Sequence, residues 1–266
     1  MEIKEAYTLI TGASGGLGRA FCDACAKRGE NLYLTGRMQE KLDILRLELQ
    51  AKYPQITIKT YAANLENEQG RDALKSKIKT DNVQFSRLIN VAGADIQKAF
   101  VKYDDEKIRF QCQVNFQAAV ELCRFTISQK AEQLKIINVS SVSGIYPMPY
   151  FAIYSATKSA LTSFSLALRE EMKKENVFVT AVLPGAMPTR KDIKAQIKGQ
   201  GLWGKLAAKT PEFVAEKSLV ASDKNKGKCI PGFFNNLMNI TTKILPLAIK
   251  LKFIASRWSK IEKDAF

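Results

Sequence analysis

Residues 11–18 read Thr-Gly-Ala-Ser-Gly-Gly-Leu-Gly, and this glycine-rich stretch decides how the rest of the chain is interpreted. It follows residues 7–10, a short apolar run with the composition of a buried strand. It runs into residues 16–28, which have the composition of a helix. Glycines between a strand and a helix permit a tight turn and let another group approach the backbone closely. The stretch therefore predicts a strand–turn–helix unit at the start of the chain.

The same alternation of strand and helix signals continues along the chain. Strands separated by helices imply right-handed crossovers and a mainly parallel sheet with both faces covered. We therefore predict an α/β fold, a Rossmann-like doubly wound parallel sheet, in a single domain over residues 1–266. The further strands are expected at residues 32–35, 56–62, 88–91, 135–139 and 177–183, and the further helices at about residues 40–53, 66–79, 114–129 and 154–174.

The net charge of +15 comes from 41 basic and 26 acidic residues. Such an excess is compatible with nucleic acid, an anionic membrane or an anionic small ligand. Much of it is spread over helix faces, as at Lys75, Lys77 and Lys79, which favours a solvated basic surface over a nucleic-acid site. The chain has no histidine, so acid–base chemistry falls to Tyr, Lys, Asp, Glu or Cys, and we expect no metal.

Cysteine usage and the absence of long apolar segments bear on location. Five cysteines without a framework spacing suit a reducing compartment. Cys22 and Cys25 form a CxxC pair on the helix after the glycine turn, where we expect them to pack as small apolar side chains. The N-terminus shows no targeting stretch, and no segment approaches the roughly 20 apolar residues that a spanning helix needs. We therefore expect a cytoplasmic protein.

The pattern TGxxxGxG between a strand and a helix is more specific than a lone GxGxxG, and it resembles the short-chain dehydrogenase/reductase family. The resemblance extends over about residues 5–190 and implies an oxidoreductase with a nicotinamide dinucleotide. The pyrophosphate of that coenzyme would lie against the backbone of the turn and the free N–H groups of the helix. The turn residues expected to bind it are Gly12, Ser14, Gly16, Leu17 and Gly18.

The residue after the second strand distinguishes the two forms of this coenzyme. An acidic residue there would bond to the ribose 2′-hydroxyl, whereas a basic residue accommodates a 2′-phosphate. This chain has Gly36 followed by Arg37. Because an arginine fork suits a phosphate dianion, we predict NADP(H) as the coenzyme.

Three further segments resemble the family's coenzyme pocket. Residues 90–93 match its NNAG segment, and residues 64–65 (Asn-Leu) stand where the family has Asp-Leu beside the adenine. Residues 184–189 match its PGxxxT segment after the sixth strand, which shapes the nicotinamide site. The residues that the resemblance assigns to the coenzyme in these segments are Asn64, Leu65, Asn90, Ala92, Gly93, Pro184, Gly185 and Thr189.

Tyr154 and Lys158 form a YxxxK pair, and on a helix this spacing puts the phenol and the ammonium on one face, one turn apart. A free tyrosine has a pKa of about 10, too high for an efficient base at neutral pH. A nearby cation stabilises the phenolate, so we expect Lys158 to lower the pKa of Tyr154. The pair resembles the family's catalytic tyrosine and lysine, which also contact the coenzyme.

Two more matches complete the expected catalytic site. Ser141 precedes Tyr154 by 13 residues, as the family's catalytic serine does. Its hydroxyl can bond the substrate oxygen as negative charge develops there. Asn115 matches the helix asparagine that completes the family's tetrad, and the resemblance implies that its backbone carbonyl helps hold a water linked to Lys158.

The segments beyond the shared pattern bear on the substrate. Residues 145–151 are apolar and aromatic with two prolines, which favours a bulky apolar carbonyl compound or alcohol, such as a steroid or bile acid, or else packing beneath a lid. Residues 186–212 are rich in lysine and glycine and predict a helical lid. Residues 233–266 form a basic amphipathic extension that would cover the pocket, join an oligomer interface or lie on a membrane, with an interruption at Pro246.

The leading hypothesis is an NADP(H)-dependent oxidoreductase that interconverts a small-molecule ketone and its secondary alcohol, with Tyr154 exchanging the proton. A 3-oxoacyl thioester reductase of lipid metabolism would use the same residues. A coenzyme-sensing regulator without turnover is the alternative of another class, and the intact Ser141, Tyr154 and Lys158 argue against it. The resemblance also implies a homodimer or homotetramer.

Overall fold

Seven parallel strands form the centre of the molecule. The computed structural model describes residues 5–188 and 206–259, with residues 241–244 described by their backbone alone. The strands follow the order β3-β2-β1-β4-β5-β6-β7. Strands β1 to β3 follow one another toward one edge of the sheet, and β4 to β7 follow one another toward the other edge. The strand order therefore reverses between β1 and β4, and doubly wound sheets open a crevice at such a point, at the carboxyl ends of the strands. The strands are β1 (Ala6–Thr11), β2 (Asn31–Gly36), β3 (Ile58–Ala62), β4 (Gln84–Asn90), β5 (Lys130–Val139), β6 (Val177–Val182) and β7 (Lys228–Cys229).

Helices cover both faces of this sheet. The apolar residues of α1, α2 and α7 pack against one face, and those of α3, α5 and α6 pack against the other. Successive strand residues point to opposite faces, so Leu9 lies in one core cluster and Ile10 in the other. The predicted Rossmann-like α/β fold is confirmed. The helices are α1 (Gly16–Lys27), α2 (Gln39–Lys52), α3 (Glu68–Thr80), α4 (Asp105–Cys112), α5 (Ala118–Ser128), α6 (Ala152–Glu171), α7 (Pro211–Asp223), α8 (Phe233–Ile244) and α9 (Leu247–Trp258).

The helix expected from about residue 114 begins earlier, at Asp105. The side chain of Asp104 accepts a hydrogen bond of 2.7 Å from the N–H of Lys107 and so caps the new start. The first turn is acidic rather than apolar, which is why the apolar periodicity indicated a later start. A single π-helical turn, Gln113–Gln117, joins α4 to α5. The two-residue strand β7 was not predicted, because it is too short to show an alternating pattern.

Two smaller predictions concern the cysteines and the C-terminal extension. Cys22 and Cys25 are free and buried in the core, so their predicted packing as apolar side chains is confirmed, and burial raises the pKa of both thiols. Helix α8 ends at Ile244 and α9 starts after Pro246, which confirms the predicted interruption.

Within the described residues, no helix is long and apolar enough to cross a membrane. Residues 189–205, the larger part of the expected lid, lie outside the described residues.

Candidate active site

The glycine turn after β1 brings the backbone of two segments into close contact. Gly12 has a φ of +62°, a left-handed conformation that favours glycine. A side chain at Gly18 would overlap the carbonyl oxygen of Gly12, so only glycine fits at the first turn of α1. Gly15 stands at the N-cap and has no side chain to cap the helix, and the first turn contains no acidic residue. The N–H groups of this turn therefore form an electropositive surface at the end of the sheet.

Thr11 joins the glycine turn to the segment after β4. Its hydroxyl oxygen accepts hydrogen bonds from the backbone N–H groups of Val91 at 3.0 Å and of Ala92 at 3.1 Å. A Cβ added at Gly12 would lie 3.0 Å from the Cα of Ala92, so the two segments touch. The sequence-predicted Ala92 and Gly93 thus lie beside the glycine turn at the point where the strand order reverses.

Arg37 and Asn64 lie in loops at this same end of the sheet, one after β2 and the other after β3. Arg37 is exposed and makes no ion pair among the described residues. The preceding Gly36 is next to the glycine turn, because a Cβ placed on it would lie 3.4 Å from the hydroxyl oxygen of Ser14. The Asn64 side chain accepts a hydrogen bond from the N–H of Glu66, while Leu65 is buried. Their predicted coenzyme contacts stay predictions.

Asn90 lies at the end of β4, beneath the crevice. Its side chain is buried and donates a 2.8 Å hydrogen bond to Asn138 on β5, which in turn donates to the hydroxyl of Ser165 on α6. Asn90 therefore ties β4, β5 and α6 together beneath the crevice. Its direct contact with a coenzyme stays a prediction, and its visible role is to support the loop that begins at Val91.

Ser141 and Tyr154 meet where β5 leads into α6. The Ser141 hydroxyl accepts a hydrogen bond of 3.1 Å from the N–H of Ser143, and it is close enough to the Tyr154 phenol to lower the pKa of that group. The neighbouring Ser140 donates a 2.7 Å hydrogen bond to the carbonyl oxygen of Lys158, which fixes α6 against the end of β5. The structure thus brings together the serine, tyrosine and lysine that the sequence singled out.

Lys158 is buried below Tyr154. Its ammonium nitrogen lies 5.8 Å from the centre of the Tyr154 ring and donates a 2.9 Å hydrogen bond to the carbonyl oxygen of Val139. A Cβ placed on Gly93 would lie 3.2 Å from that nitrogen and 3.0 Å from the amide oxygen of Asn115. Gly93 therefore leaves the space in which the lysine and the asparagine lie close together.

Asn115 lies in the π-helical turn and is buried. Its amide oxygen accepts a 2.7 Å hydrogen bond from the N–H of Ala94, and its amide nitrogen donates to the carbonyl oxygen of Ala94 at 2.9 Å and to the hydroxyl of Thr157 at 3.3 Å. Asn115 thus joins the loop after β4 to α6, next to Lys158. The water that the resemblance places on its backbone carbonyl stays a prediction.

The electrostatics of the Tyr154 phenol differ from the expectation. Burial raises its pKa, the negative charge of Asp95 raises it further, and the hydrogen bond from Ser141 lowers it. The expected lowering of the pKa by Lys158 is therefore wrong for the chain as described. The reason is that the desolvation of the phenolate outweighs the other effects, and that the ammonium points at Val139 rather than at the phenol oxygen. Sequence reasoning missed Asp95, which follows the NNAG-like segment.

Burial acts on Lys158 in the opposite direction. It lowers the pKa of this lysine to about 8, and the charge of Asp95 opposes that change. At neutral pH the site therefore holds a protonated phenol above a positively charged ammonium. Such an arrangement is prepared to give a proton to an oxygen that gains negative charge.

Pro184 and Gly185 follow β6 and connect the site to the C-terminal extension. The carbonyl oxygen of Pro184 accepts a 3.0 Å hydrogen bond from the N–H of Val142. A Cβ placed on Gly185 would lie 2.8 Å from the amide nitrogen of Asn235 on α8, so the helix begins directly against this turn. Nothing in the sequence pattern indicated Asn235. The predicted Thr189 lies outside the described residues.

Aromatic rings form a wall beside the Tyr154 phenol. The ring centres of Phe151 and Tyr154 are 4.8 Å apart. Trp258, near the end of α9, stacks on Phe151 with ring centres 6.4 Å apart and an angle of 5° between the planes. The C-terminal extension therefore reaches back to the site, and Trp258 adds an apolar surface that the motifs did not identify. Tyr146, in the same loop as Phe151, is partly buried.

The residues present fit a dinucleotide coenzyme. The backbone of the glycine turn packs closely within itself at Gly12 and Gly18 and against Ala92, and the uncapped N-terminus of α1 has free N–H groups that could donate to a pyrophosphate. Arg37 lies where a 2′-phosphate would need a cation. Gly93, Tyr154 and Lys158 line the far end of the same crevice, where the nicotinamide would lie. Among the described residues there is no cluster of side chains suited to a metal ion.

Comparisons with known proteins agree with this geometry. The family model described as short chain dehydrogenase matches residues 6–198. The chain is 31% identical over 227 residues to a very-long-chain 3-oxoacyl-CoA reductase of Bos taurus, a match that covers 83% of this chain and 70% of that relative.

Two solved structures share the fold over most of the chain. One is a short-chain dehydrogenase from Sphingobium yanoikuyae in complex with NADPH, with a TM-score of 0.75, 25% identity, and coverage of 91% of this chain and 96% of that one. The other is the bulky-bulky ketone specific alcohol dehydrogenase from Comamonas testosteroni, with a TM-score of 0.74, 25% identity, and coverage of 90% and 93%.

Proposed function

This chain belongs to the short chain dehydrogenase family, and on that premise we propose that it interconverts a bulky apolar ketone and its secondary alcohol with NADP(H). It is an oxidoreductase that acts on CH–OH and carbonyl groups. The observation that carries the proposal is the group of Ser141, Tyr154 and Lys158 at one end of the coenzyme crevice, beside the aromatic wall of Phe151 and Trp258.

The coenzyme and each residue of this group have distinct roles in the proposed reaction. The coenzyme, when bound, supplies or accepts the hydride. Tyr154 donates a proton to the carbonyl oxygen, and the Ser141 hydroxyl bonds to the same oxygen as negative charge develops there. Lys158, whose ammonium nitrogen lies 5.8 Å from the centre of the Tyr154 ring, adds a positive charge to this end of the crevice at neutral pH. In the direction of oxidation, the same groups take up the proton from the alcohol.

NADP(H) is the coenzyme that this site supports best. Arg37 is exposed beside the glycine turn and has no ion-pair partner among the described residues, so its guanidinium is positioned to meet a phosphate dianion. No carboxylate occupies the end of β2, where the ribose 2′-hydroxyl would be recognised. The NADPH complex of the Sphingobium yanoikuyae relative supports the same choice.

The aromatic wall is what favours a bulky apolar substrate. Phe151 packs on the catalytic Tyr154, and Trp258 extends the apolar surface outward by one ring. Large aromatic side chains contribute much apolar area at small cost in conformational entropy. The similarity to the bulky-bulky ketone specific alcohol dehydrogenase from Comamonas testosteroni supports this class.

A 3-oxoacyl thioester is the second candidate substrate. The specific observation in its favour is the 31% identity to a very-long-chain 3-oxoacyl-CoA reductase. Its acyl chain would suit the same aromatic wall, and the phosphates of a thioester carrier would suit the net charge of +15. The chemistry at Tyr154 would be unchanged.

A substrate panel tests the proposal. We would follow NADPH consumption with steroid ketones, long 3-oxoacyl-CoA thioesters and small polar ketones, using the wild-type chain and Tyr154→Phe. We expect the bulky apolar compounds to turn over fastest, and Tyr154→Phe to lose about 100-fold or more of kcat while NADPH still binds. Faster turnover of the small polar ketones would reject the substrate class, and full activity of Tyr154→Phe would reject the mechanism.

We also propose a homodimer or homotetramer and a cytoplasmic location, as the resemblance and the sequence imply. The free, mostly buried cysteines are consistent with a reducing compartment. Light scattering of the purified chain tests the oligomeric state, and a monomer at micromolar concentration would reject it.

A further inference from the structure

Helix α8 presents its apolar side chains to the outside. Phe233 is 83% exposed and Ile240 is 58% exposed, and Leu237 lies between them on the same face. These residues follow one another at intervals of four and three, which places them on one side of a helix. We call this side, together with the exposed Leu245, Ile249 and Phe253 that follow it along the chain, the C-terminal apolar face.

The opposite side of α8 is polar and faces the protein. Asn235 is buried, and its amide donates hydrogen bonds of 3.0 Å to the carbonyl oxygens of Ala207 and Pro231. A helix on the surface of a globular domain ordinarily has the reverse arrangement, with its apolar stripe toward the core. The arrangement in α8 therefore leaves its apolar side available to a partner.

Helix α9 also carries exposed apolar side chains. Ile249 and Phe253, one turn apart, are exposed, and Leu245 in the link between the helices is exposed as well. The other side of α9 carries the buried Ile254 and the Trp258 that stacks on Phe151. The helix is therefore fixed to the active-site loop by one side while its second apolar side faces outward. Exposed apolar side chains grouped on one side of a helix in this way mark an interaction site.

The charges of this region favour an anionic partner. Between residues 224 and 259 the chain contains no Asp or Glu. At 100° per residue, Lys252 lies on one side of the line from Ile249 to Phe253, and Lys250 and Arg257 lie on the other. The basic residues of the region are Lys224, Lys226, Lys228, Lys243, Lys250, Lys252 and Arg257.

We propose that the C-terminal apolar face docks on an anionic lipid membrane surface. Apolar residues flanked on both sides by cations are the pattern of a helix that lies in the plane of a membrane interface, with its cations at the headgroups. A second copy of the chain fits poorly, because a symmetric contact would place two basic regions without carboxylates against each other. The proposal is independent of the substrate proposed above.

Docking would also place the substrate entrance at the membrane. Trp258 belongs to the helix that carries Ile249 and Phe253, and it touches Phe151 beside the catalytic Tyr154. An apolar substrate dissolved in the lipid would thus have a short path to the site.

Co-sedimentation with vesicles tests this proposal. We would compare pure phosphatidylcholine vesicles with vesicles of phosphatidylcholine and phosphatidylglycerol in equal amounts. We expect the wild-type chain to bind the anionic vesicles, and Ile249→Ser/Phe253→Ser to bind about tenfold more weakly or worse. The control is Leu47→Ser, which removes an equally exposed apolar side chain from α2 and should bind as the wild type does.

Charge reversal provides a second, independent variant. We expect Lys252→Glu/Arg257→Glu to lower binding to the anionic vesicles by about tenfold or more, because each basic residue near an anionic surface contributes substantially. Lys173→Glu/Lys174→Glu changes the net charge equally at the exposed end of α6 and should bind nearly as the wild type does. Binding by the wild type should also weaken as salt is added.

NADPH consumption in solution shows that each variant is folded. The proposal is overturned if the wild type fails to bind the anionic vesicles, or if folded variants of the face bind as well as their controls. A third outcome would also overturn it: the wild type is a dimer that binds no vesicles, and Ile249→Ser/Phe253→Ser is a monomer. The C-terminal apolar face would then join two copies of the chain.

Discussion

The ammonium nitrogen of Lys158 lies 5.8 Å from the centre of the Tyr154 ring and donates a hydrogen bond to the carbonyl oxygen of Val139. Burial lowers the pKa of Lys158 to about 8 and raises the pKa of Tyr154. The pair is therefore protonated at both positions at neutral pH. The phenol is thus in the protonated form that the reduction of a carbonyl uses.

The first prediction is a pH profile with opposite signs in the two directions. Below pH 8 the lysine is charged and the phenol protonated, so kcat for reduction should be constant there and should fall as Lys158 loses its proton above about pH 8. Oxidation needs the phenolate and should rise with pH over the same interval. Steady-state rates of reduction and of oxidation, measured from pH 6 to pH 10 in steps of about half a pH unit, test both parts of the prediction. A reductive rate that is flat to pH 10 would contradict the assignment.

The second prediction concerns the glycine turn. Gly18→Ala would place a Cβ against the carbonyl oxygen of Gly12, so the turn must open where the coenzyme approaches. We expect the Kd for NADPH to rise by about 100-fold, measured by fluorescence titration. The control is Gly29→Ala, at a φ of +76° with open space around it. That variant should lose about 1 kcal/mol of unfolding free energy from backbone strain and keep its NADPH affinity.

A third prediction addresses the choice of coenzyme. Arg37→Ala removes the cation proposed to meet the 2′-phosphate, and charged hydrogen bonds of this kind contribute roughly 1.5–3 kcal/mol. The Kd for NADPH should therefore rise by about 10- to 100-fold, while the Kd for NADH should hardly change. Arg124→Ala, at another exposed arginine on α5, serves as the control. Equal weakening of both coenzymes by Arg37→Ala would show that Arg37 acts elsewhere.

The last prediction concerns the aromatic wall. Trp258→Ala removes the ring that stacks on Phe151, so a bulky apolar ketone loses its outer contact. We expect KM for such a ketone to rise by about tenfold, with little change for a small ketone that contacts only Tyr154 and Ser141. Phe253→Ala, on the outward side of the same helix, should leave both KM values unchanged. A uniform loss of kcat with all substrates would indicate a structural role instead.

Much of the fold and site could be predicted from the sequence because their signals are local. The glycine turn needs Gly12 and Gly18 for steric reasons that appear directly in the residue types, and the four-residue spacing of Tyr154 and Lys158 fixes them on one helix face. Ser141 is similar, since it ends a strand whose apolar pattern is plain. These residues come together in the structure as the motifs imply.

The remaining features depend on tertiary contacts that no local pattern shows. The lowered pKa expected for Tyr154 was wrong because burial, a property of the whole fold, outweighs the neighbouring charge. Asn90 matches the residue type of the NNAG segment, but the sequence does not show that its amide donates a buried hydrogen bond to Asn138 on the neighbouring strand. Trp258 lies more than a hundred residues from Phe151 along the chain, so only the folded arrangement of α9 could reveal their stacking.

The attachment of α8 through Asn235 has a consequence for how such an enzyme diverges. On the function proposed above, proton transfer and dinucleotide recognition belong to the sheet and the helices that pack on it, whereas selectivity is partly delegated to α8 and α9, which begin against Gly185 and reach Phe151. Exchanging these two helices while retaining Asn235 offers natural variation, or an engineer, a route to altered ketone preference without disturbing the catalytic core.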